Sequence, residues 1–185
     1  MADVSDWELV QKCQAGNTDA FQELVSRYQQ KVYMVILGQL RNREDALEVT
    51  QEAFFRAFRK IKSFKGGASF YTWLYRIAVN IAIDAQRRQK RNPLDFKESM
   101  DEVLEEHDEV AKDPLLDVHD KELRDRLTQA IGELTPEHRA VIILRTLEGL
   151  SYKEIGAVLG CSEGTVMSRL HYARKKLQEK LRAFL

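Results

Sequence analysis

The chain has 185 residues, a formal net charge of zero and 44% apolar residues. This length allows one large domain or two small ones. Only two cysteines occur, and no apolar run approaches the roughly 18 residues of a membrane span, which excludes a disulfide scaffold and membrane insertion and predicts a soluble, cytoplasmic protein. Because Gly and Pro are few and no long stretch alternates like a strand, the fold is predicted to be all-helical.

The zero net charge hides an uneven distribution. Counting Lys, Arg, Asp and Glu, the net charge is +5 over residues 1–91, −9 over residues 95–122 and +4 over residues 123–185. Basic blocks are suited to bind a polyanion. We therefore expect two small helical domains, over residues 1–91 and 120–185, joined by a flexible acidic linker over residues 92–119.

Three helices are predicted first. Ser5 and Glu8 form a capping box that opens a short helix. A long amphipathic helix follows from Asn17 or Thr18, and its apolar face consists of Phe21, Leu24, Val25, Tyr28, Val32, Ile36 and Leu40. Asn42 begins a third helix, whose inward face consists of Ala46, Val49, Ala53, Phe54 and Ala57.

The outer face of the third helix surrounds one aromatic ring with polar side chains. Its members are Asp45, Glu48, Gln51, Glu52, Phe55 and Arg56. An exposed aromatic ring among polar groups is often an anchor for a protein partner. The alternative is that Phe55 belongs to the core.

A glycine-containing loop from Phe64 to Ser69 is expected to be mobile. Ser69 then caps a helix that interleaves aromatic side chains with basic and amide ones: Phe70, Tyr71, Trp73, Tyr75, Arg76, Asn80, Arg87 and Arg88. Rings stack on unpaired bases and cations hold the backbone, so this pattern favours single-stranded nucleic acid. A packed helix with Trp73 and Tyr75 buried explains part of the set, but not its basic end.

Beyond Pro114, apolar spacing predicts a helix that ends near residues 132–133. Its apolar residues are Leu115, Leu116, Leu123, Leu127, Ile131 and Leu134. Thr135 and Pro136 have the residue types of an N-cap and first helical position, so they start the next helix. The apolar set of that helix is Val141, Ile142, Leu144 and Leu147, and Gly149 closes it.

The last two helices are predicted to form a helix-turn-helix. Ser151 and Glu154 make a capping box, Gly160 ends the first helix and Ser162 caps the second. The buried face of the second helix consists of Val166, Leu170, Ala173 and Leu177, and its outer face of Met167, Ser168, His171, Tyr172 and Lys175. Such a second helix enters the major groove of DNA, whereas the alternative is an ordinary helical hairpin.

The sequence contains few motifs of the kind that carry out catalysis or bind metals. It has no Walker-type phosphate loop, no HExxH motif and no close Cys and His cluster. His107 and His119 lie among carboxylates, but their spacing fits no metal-ligand pattern. We therefore expect neither an enzyme nor a metal or cofactor protein, and no small-molecule substrate.

Four stretches of the sequence carry a resemblance to a known family: VTQEAFFRAFRKIKSFKGG, FYTWLYRIAVNIAID, LTPEHRAVIILRTLEG and LSYKEIGAVLGCSEGTVMSRLHYARKKL. In these stretches the chain resembles the bacterial extracytoplasmic-function (ECF) sigma factors, in particular those of the sigma-E type. The resemblance extends over almost the whole chain. The resemblance implies an alternative sigma factor with sigma2 and sigma4 domains, which directs core RNA polymerase to promoters of a stress or envelope response and is restrained by an anti-sigma factor.

The resemblance also implies roles for residues of the first domain. The coiled coil of the largest catalytic polymerase subunit would bind Asp45, Glu48, Gln51, Glu52, Phe55 and Arg56. The loop would capture a flipped base of the −10 element, and the set that contacts this element would be Phe64, Lys65, Ser69, Phe70, Tyr71, Trp73, Arg76, Ile77, Asn80, Arg87 and Arg88. Housekeeping sigma factors carry two adjacent Trp where this chain has Trp73 and Leu74. One missing ring implies weaker promoter melting.

In the second domain, the resemblance implies contact with the polymerase β flap and readout of the −35 element as a duplex. The −35 set would be Ser162, Gly164, Thr165, Met167, Ser168, Arg169, His171, Tyr172 and Lys175. Relatives often carry Arg, which suits guanine, at positions matching Met167 or Tyr172, so the base preference stays open. The acidic linker would pass through the polymerase near its active site.

Two other functions compete with this interpretation. A stand-alone helix-turn-helix regulator explains the second domain but leaves the aromatic-basic helix and the acidic linker unused. An all-helical enzyme acting on nucleic acid is the second alternative. Tight, sequence-specific duplex binding by the isolated protein would favour the regulator, because a sigma factor is expected to need core polymerase.

Overall fold

A computed structural model describes residues 4–91, 123 and 125–182, and every regular element within these ranges is helical. The helices are α1 Asp6–Gln14, α2 Thr18–Leu40, α3 Arg43–Lys60, α4 Phe70–Arg91, α5 over residues 125–132, α6 Pro136–Thr146, α7 Tyr152–Leu159 and α8 Glu163–Leu181, with a 3-10 turn at Ile61–Ser63. The acidic linker predicted over residues 92–119 lies outside the described residues. In the described ranges, no helix combines the length and the apolar character that crossing a membrane requires.

The predicted helix starts are confirmed for every helix except α5, whose predicted start beyond Pro114 lies outside the described residues. Two capping boxes form, Ser5 with Glu8 and Ser151 with Glu154, each joining a side chain to a backbone amide in both directions. Asparagine side chains at the starts of α2 and α3 accept from amides of the first turn. Thr135 caps α6 and Pro136 takes its first position. These local contacts fix where the chain turns, and so which faces meet.

Helices α1 to α4 form a first group around α2, which packs against the other three. The largest fully buried side chains of this group include Leu24, Ile36, Leu37, Leu74 and Tyr75. Full burial of one leucine contributes about 2 kcal/mol, so burial of this core is a large favourable contribution to the stability of the group. Helices α6, α7 and α8 pack together in a second group, and the buried residues of both groups form one continuous cluster.

A buried guanidinium joins the two groups. Arg139 in α6 donates through Nη1 to the Gln39 carbonyl near the end of α2, at 2.6 Å. Its Nε and Nη2 donate to carbonyls at the end of α5, those of Ile131, Gly132 and Leu134. Helix ends leave such carbonyls without partners and carry negative partial charge. Burial, and secondarily the charge of Arg41, lowers the pKa of Arg139 to about 10, so the group stays charged at neutral pH.

Two glutamines extend this contact. Gln39 Nε2 donates to Gln86 Oε1 at 2.8 Å and to the Pro136 carbonyl at 2.9 Å, and Gln86 Nε2 donates to the Gln39 carbonyl at 2.6 Å. All three residues are buried. Buried polar groups are stable only with partners, so these bonds favour the contact between α2, α4 and α6 over a loosely joined pair of groups.

Three apolar side chains that the sequence predicts to be buried are exposed, and one helix ends without the expected glycine. Leu147, assigned to the apolar set of α6, is 51% exposed because it follows the end of that helix. Leu123 and Leu127 are also exposed. Helix α2 ends at Arg41 with a φ of 61°, a left-handed conformation without a glycine to mark it in the sequence.

Candidate functional site

Two glycines set the turn between α7 and α8. Gly160 has a φ of 65° and ends α7 in the left-handed conformation. A Cβ at Gly156 would lie 2.7 Å from the Cys161 carbonyl oxygen, so this close approach requires a glycine. Ser162 caps α8 by accepting from the Thr165 amide at 3.2 Å. The two helices are thereby held as a helix-turn-helix.

Helix α8 has one buried and one exposed face, as predicted. The buried residues are Val166, Leu170 and Ala173, whereas Leu177, also predicted for this face, is only half-buried near the end of the helix. The exposed members of the predicted −35 set are Ser162, Gly164, Met167, Ser168, His171, Tyr172 and Lys175, while Thr165 and Arg169 are half-buried at the edge of this face. Met167 is 56% exposed, so its side chain projects from this face of α8.

The ring of Tyr172 is held by α6. Its centroid lies 4.6 Å from that of His138. Burial, with a smaller effect from the charge of Arg169, lowers the pKa of His138, so the imidazole is neutral at physiological pH. Tyr172 therefore projects from α8 in a supported position, with about half of its surface exposed.

An aromatic cluster lies beside the loop at residues 64–69. Phe64 and Phe70 are buried, and the half-buried Trp73 packs on both, with ring centroids at 5.0 and 5.9 Å. Gln14 of α1 ties the beginning of the loop by donating to the carbonyls of Ile61 and Phe64. Phe64 and Phe70 therefore support Trp73 by packing against its ring, and among these three rings that of Trp73 is the one that stays partly exposed beside the loop.

The other members of the predicted −10 set divide by exposure. Lys65, Ser69, Arg76, Asn80, Arg87 and Arg88 are exposed, and Tyr71 and Ile77 are half-buried. Trp73, Arg76, Ile77 and Asn80 share one face of α4 by their helical spacing. An aromatic ring, a cation and an amide thus lie along one line beside the loop.

Three side chains of α4 contact the second group instead of solvent. The Tyr71 hydroxyl donates to the Glu154 carboxylate, and this bond raises the pKa of Tyr71 and lowers that of Glu154. The buried Tyr75 donates to Glu148 at 2.6 Å. Arg87 Nη2 lies 2.7 Å from Glu137 Oε1. In this arrangement Tyr71 and Arg87, both in the predicted −10 set, are engaged by carboxylates of the second group.

A groove of 650 Å³ runs between α3 and α4. Its lining contains the whole predicted polymerase-binding set: Asp45, Glu48, Gln51, Glu52, Phe55 and Arg56. Arg88 of α4 lies on its other side. Phe55 is 56% exposed, which decides against its assignment to the core, and the Arg59 guanidinium lies 5.7 Å from the ring centroid. The groove combines an apolar anchor with charged edges, as protein-binding grooves do.

Sequence reasoning missed three exposed apolar side chains in the first group. They are Trp7, Leu47 and Phe58, with exposed fractions of 44%, 52% and 42%. The helical spacing of the buried residues in α1 and α3 contained the signal, because all three fall outside the inward faces. Phe58 rests on the ring of Phe21, with centroids 5.0 Å apart.

In the part of the chain that the structure describes, the fold is helical and of the DNA-binding helix-turn-helix class, with a separate aromatic surface and a groove that contains an exposed aromatic ring.

Comparisons with known proteins narrow this class. The family model for ECF sigma factors matches residues 1–183. The ECF RNA polymerase sigma-E factor of Haemophilus influenzae is 37% identical, with 98% of each chain covered. The RNA polymerase sigma-H factor of Pseudomonas aeruginosa is 36% identical, with 97% of this chain and 95% of that one covered. The solved structure of CnrH in complex with the cytosolic domain of CnrY has a TM-score of 0.71 at 26% identity, with coverage of 98% and 99%.

The chain therefore belongs to the ECF sigma factor family. It is a sigma factor, which is a transcription initiation factor.

Proposed function

We propose that this sigma factor is a non-catalytic, cytoplasmic subunit that uses three surfaces in promoter-specific initiation. Core polymerase occupies the groove between α3 and α4, the melted −10 strand lies along Trp73 and the loop, and the −35 duplex meets α8. The observation that carries the assignment is the coincidence of the exposed Phe55 with a charged groove on the domain that also bears the aromatic cluster. A stand-alone regulator has no use for that groove.

Phe55→Ala is expected to weaken binding to core polymerase by about 5- to 30-fold, because truncating an interface anchor costs roughly 1 to 2 kcal/mol. The affinity is measured by titrating labelled core enzyme with the full chain. Leu147→Ala is the matched control, since it removes a similarly exposed apolar side chain just beyond the end of α6, away from the groove. Equal affinities of the Phe55 and Leu147 variants would show that another face binds polymerase.

Lys175→Ala is expected to reduce −35 affinity of the holoenzyme evenly across promoter sequences. Its ammonium is exposed on α8 beyond the base-reading end of that helix, so it suits a phosphate contact. Loss of one such contact lowers the slope of log affinity against log salt by about 1. Lys31→Ala, which removes an exposed cation from α2, should leave the slope unchanged. A base-specific effect at Lys175 would contradict the phosphate assignment.

An anti-sigma factor is the proposed regulator. CnrH was solved in complex with the cytosolic domain of CnrY, and 26% identity over 98% of this chain supports a protein partner that binds this chain in a similar way. The sigma-E names of the relatives further support a role in a stress or envelope response.

Run-off transcription with purified core polymerase on a randomised promoter library tests the proposed function as a whole. We expect transcripts that require the chain and share two sequence elements at a fixed spacing. Tight duplex binding without core polymerase, together with no stimulation of transcription, would instead identify a stand-alone regulator.

A further inference from the structure

Trp7 has no role in the surfaces described so far, although it is 44% exposed. It lies in the first turn of α1, where the inward residues are Leu9, Val10 and Cys13. A single exposed apolar side chain is ordinary on a protein surface, so exposure alone does not indicate a function. What distinguishes Trp7 is the segment that it touches.

The indole of Trp7 lies directly against the loop at Gly66. A Cβ at Gly66 would lie 2.8 Å from Cζ3 and 3.0 Å from Cη2 of Trp7, so the ring lies over the backbone itself. Gly66 also has a φ of 73°, a conformation that other residues rarely adopt. At the neighbouring Gly67, by contrast, an added Cβ would meet nothing within 4 Å. Trp7 therefore fits closely against one particular point of the loop.

Helix α1 holds this loop at two places. Gln14 Nε2 donates to the carbonyls of Ile61 and Phe64 at 2.9 and 2.8 Å, which fixes the beginning of the loop. Trp7 covers Gly66, two residues further on, and its ring lies edge-on to Phe64 with centroids 6.2 Å apart. Without the indole, the glycines at the tip would have the conformational freedom that Gly ordinarily has.

The same contacts connect Trp7 to the proposed DNA surface. Phe64 contacts both tryptophans, since its ring centroid is 6.2 Å from that of Trp7 and 5.0 Å from that of Trp73. A displaced loop would therefore also alter the support under Trp73. A binding loop that is ordered before its ligand arrives avoids the entropy cost of ordering at that moment.

We propose that Trp7 is a positioning residue for the base-capturing loop, and that by bracing Gly66 it sharpens the discrimination among bases of the melted −10 strand. This inference rests on the proposed function of the loop. Trp7 acts through the backbone at Gly66, so its removal changes which bases are preferred as well as how tightly the strand binds.

The test uses holoenzyme assembled from the full chain and core polymerase, with fluorescent single-stranded −10 oligonucleotides that carry each of the four bases at each position in turn. Trp7→Ala is expected to weaken binding of the preferred oligonucleotide about tenfold and to bring the four affinities closer at one position. Trp7→Phe, which keeps a ring over Gly66, should retain most of the preference. The thermal unfolding temperature and the affinity for core polymerase are measured for both variants, and both should stay close to the wild-type values.

Two results would overturn the proposal while leaving the proposed function intact. One is that Trp7→Ala keeps the wild-type affinities, and the other is that it weakens binding of all four bases equally at every position. A wild-type holoenzyme without any base preference would instead contradict the base-capturing function of the loop, and the role of Trp7 with it.

Discussion

Trp73→Ala is expected to reduce the formation of the open promoter complex by roughly 10- to 100-fold and to leave the closed complex nearly unchanged. Stacking of a base on an aromatic side chain contributes roughly 1 to 3 kcal/mol, and this contribution exists only after the strands separate. The duplex −35 contact is proposed for α8, and none of the described ring contacts joins Trp73 to that helix. The loss therefore falls on melting rather than on initial binding.

Open complex is measured by the permanganate reactivity of unpaired thymines, and closed complex by gel shift at low temperature. Trp73→Phe is the matched variant, because a smaller ring can still pack on Phe64 and Phe70. A promoter with a pre-melted, mismatched −10 region should restore part of the activity of Trp73→Ala. Equal loss of the closed and the open complex in Trp73→Ala would contradict a role of Trp73 in melting.

Trp73 is half-buried, so its removal also affects folding, and thermal unfolding must accompany the kinetic measurement. Truncating a fully buried Trp costs about 3 to 5 kcal/mol, and a half-buried one loses correspondingly less. If the variant unfolds only a few degrees lower yet melts promoters poorly, the defect lies in the DNA contact. Rescue by the pre-melted promoter separates the two effects, because a folding defect would persist on that template.

Local features of the fold could be predicted from the sequence because their causes are local. The capping box of Ser151 and Glu154, the left-handed Gly160 and the exposed face of α8 each depend on residues within one or two helical turns. The outward face of α3 that lines the groove could be predicted for the same reason, since Phe55 lies opposite the inward alanines of that helix.

Contacts between distant parts of the chain could not be predicted in this way. Phe64 appeared to be a loop residue, but it is buried because α1 and α4 close over it. Tyr71 and Arg87 appeared free for DNA, but carboxylates from α6 and α7 reach them across the interface. Neither effect has a periodic signal, because each depends on how two surfaces meet after the helices have formed.

The two helical groups pack too closely to contact both promoter elements at once. A compact chain of this length has a radius of gyration of about 16 Å. The −35 and −10 elements are about 25 base pairs apart, or about 85 Å of duplex at 3.4 Å per base pair. Helix α4 packs directly against α7, so the described arrangement is too short to contact both elements. The two groups must separate before the proposed promoter contacts form.

Gly38→Leu is expected to favour that separation. A Cβ at Gly38 of α2 would already lie 3.2 Å from Cδ1 of Ile143 in α6, so a leucine cannot fit without moving the second group away. Overpacking of this kind costs roughly 1 to 3 kcal/mol, which shifts the equilibrium toward the open form by about 5- to 150-fold. Within α2 itself, leucine is a better helix former than glycine, so the first group should keep its fold.

The shift is measured as a larger radius of gyration by small-angle X-ray scattering and as tighter binding to core polymerase. The affinity for core polymerase rises if polymerase binds only the open form, because less free energy is then spent on breaking the contacts that Arg139, Gln39 and Tyr71 make in the closed form. Gly38→Ala adds only the Cβ, which Ile143 can accommodate by a small shift, so it should give a much smaller change in both measurements. If Gly38→Leu leaves the dimensions and the polymerase affinity unchanged, the closed contact does not oppose polymerase binding, and the engagement of Tyr71 and Arg87 has no regulatory consequence.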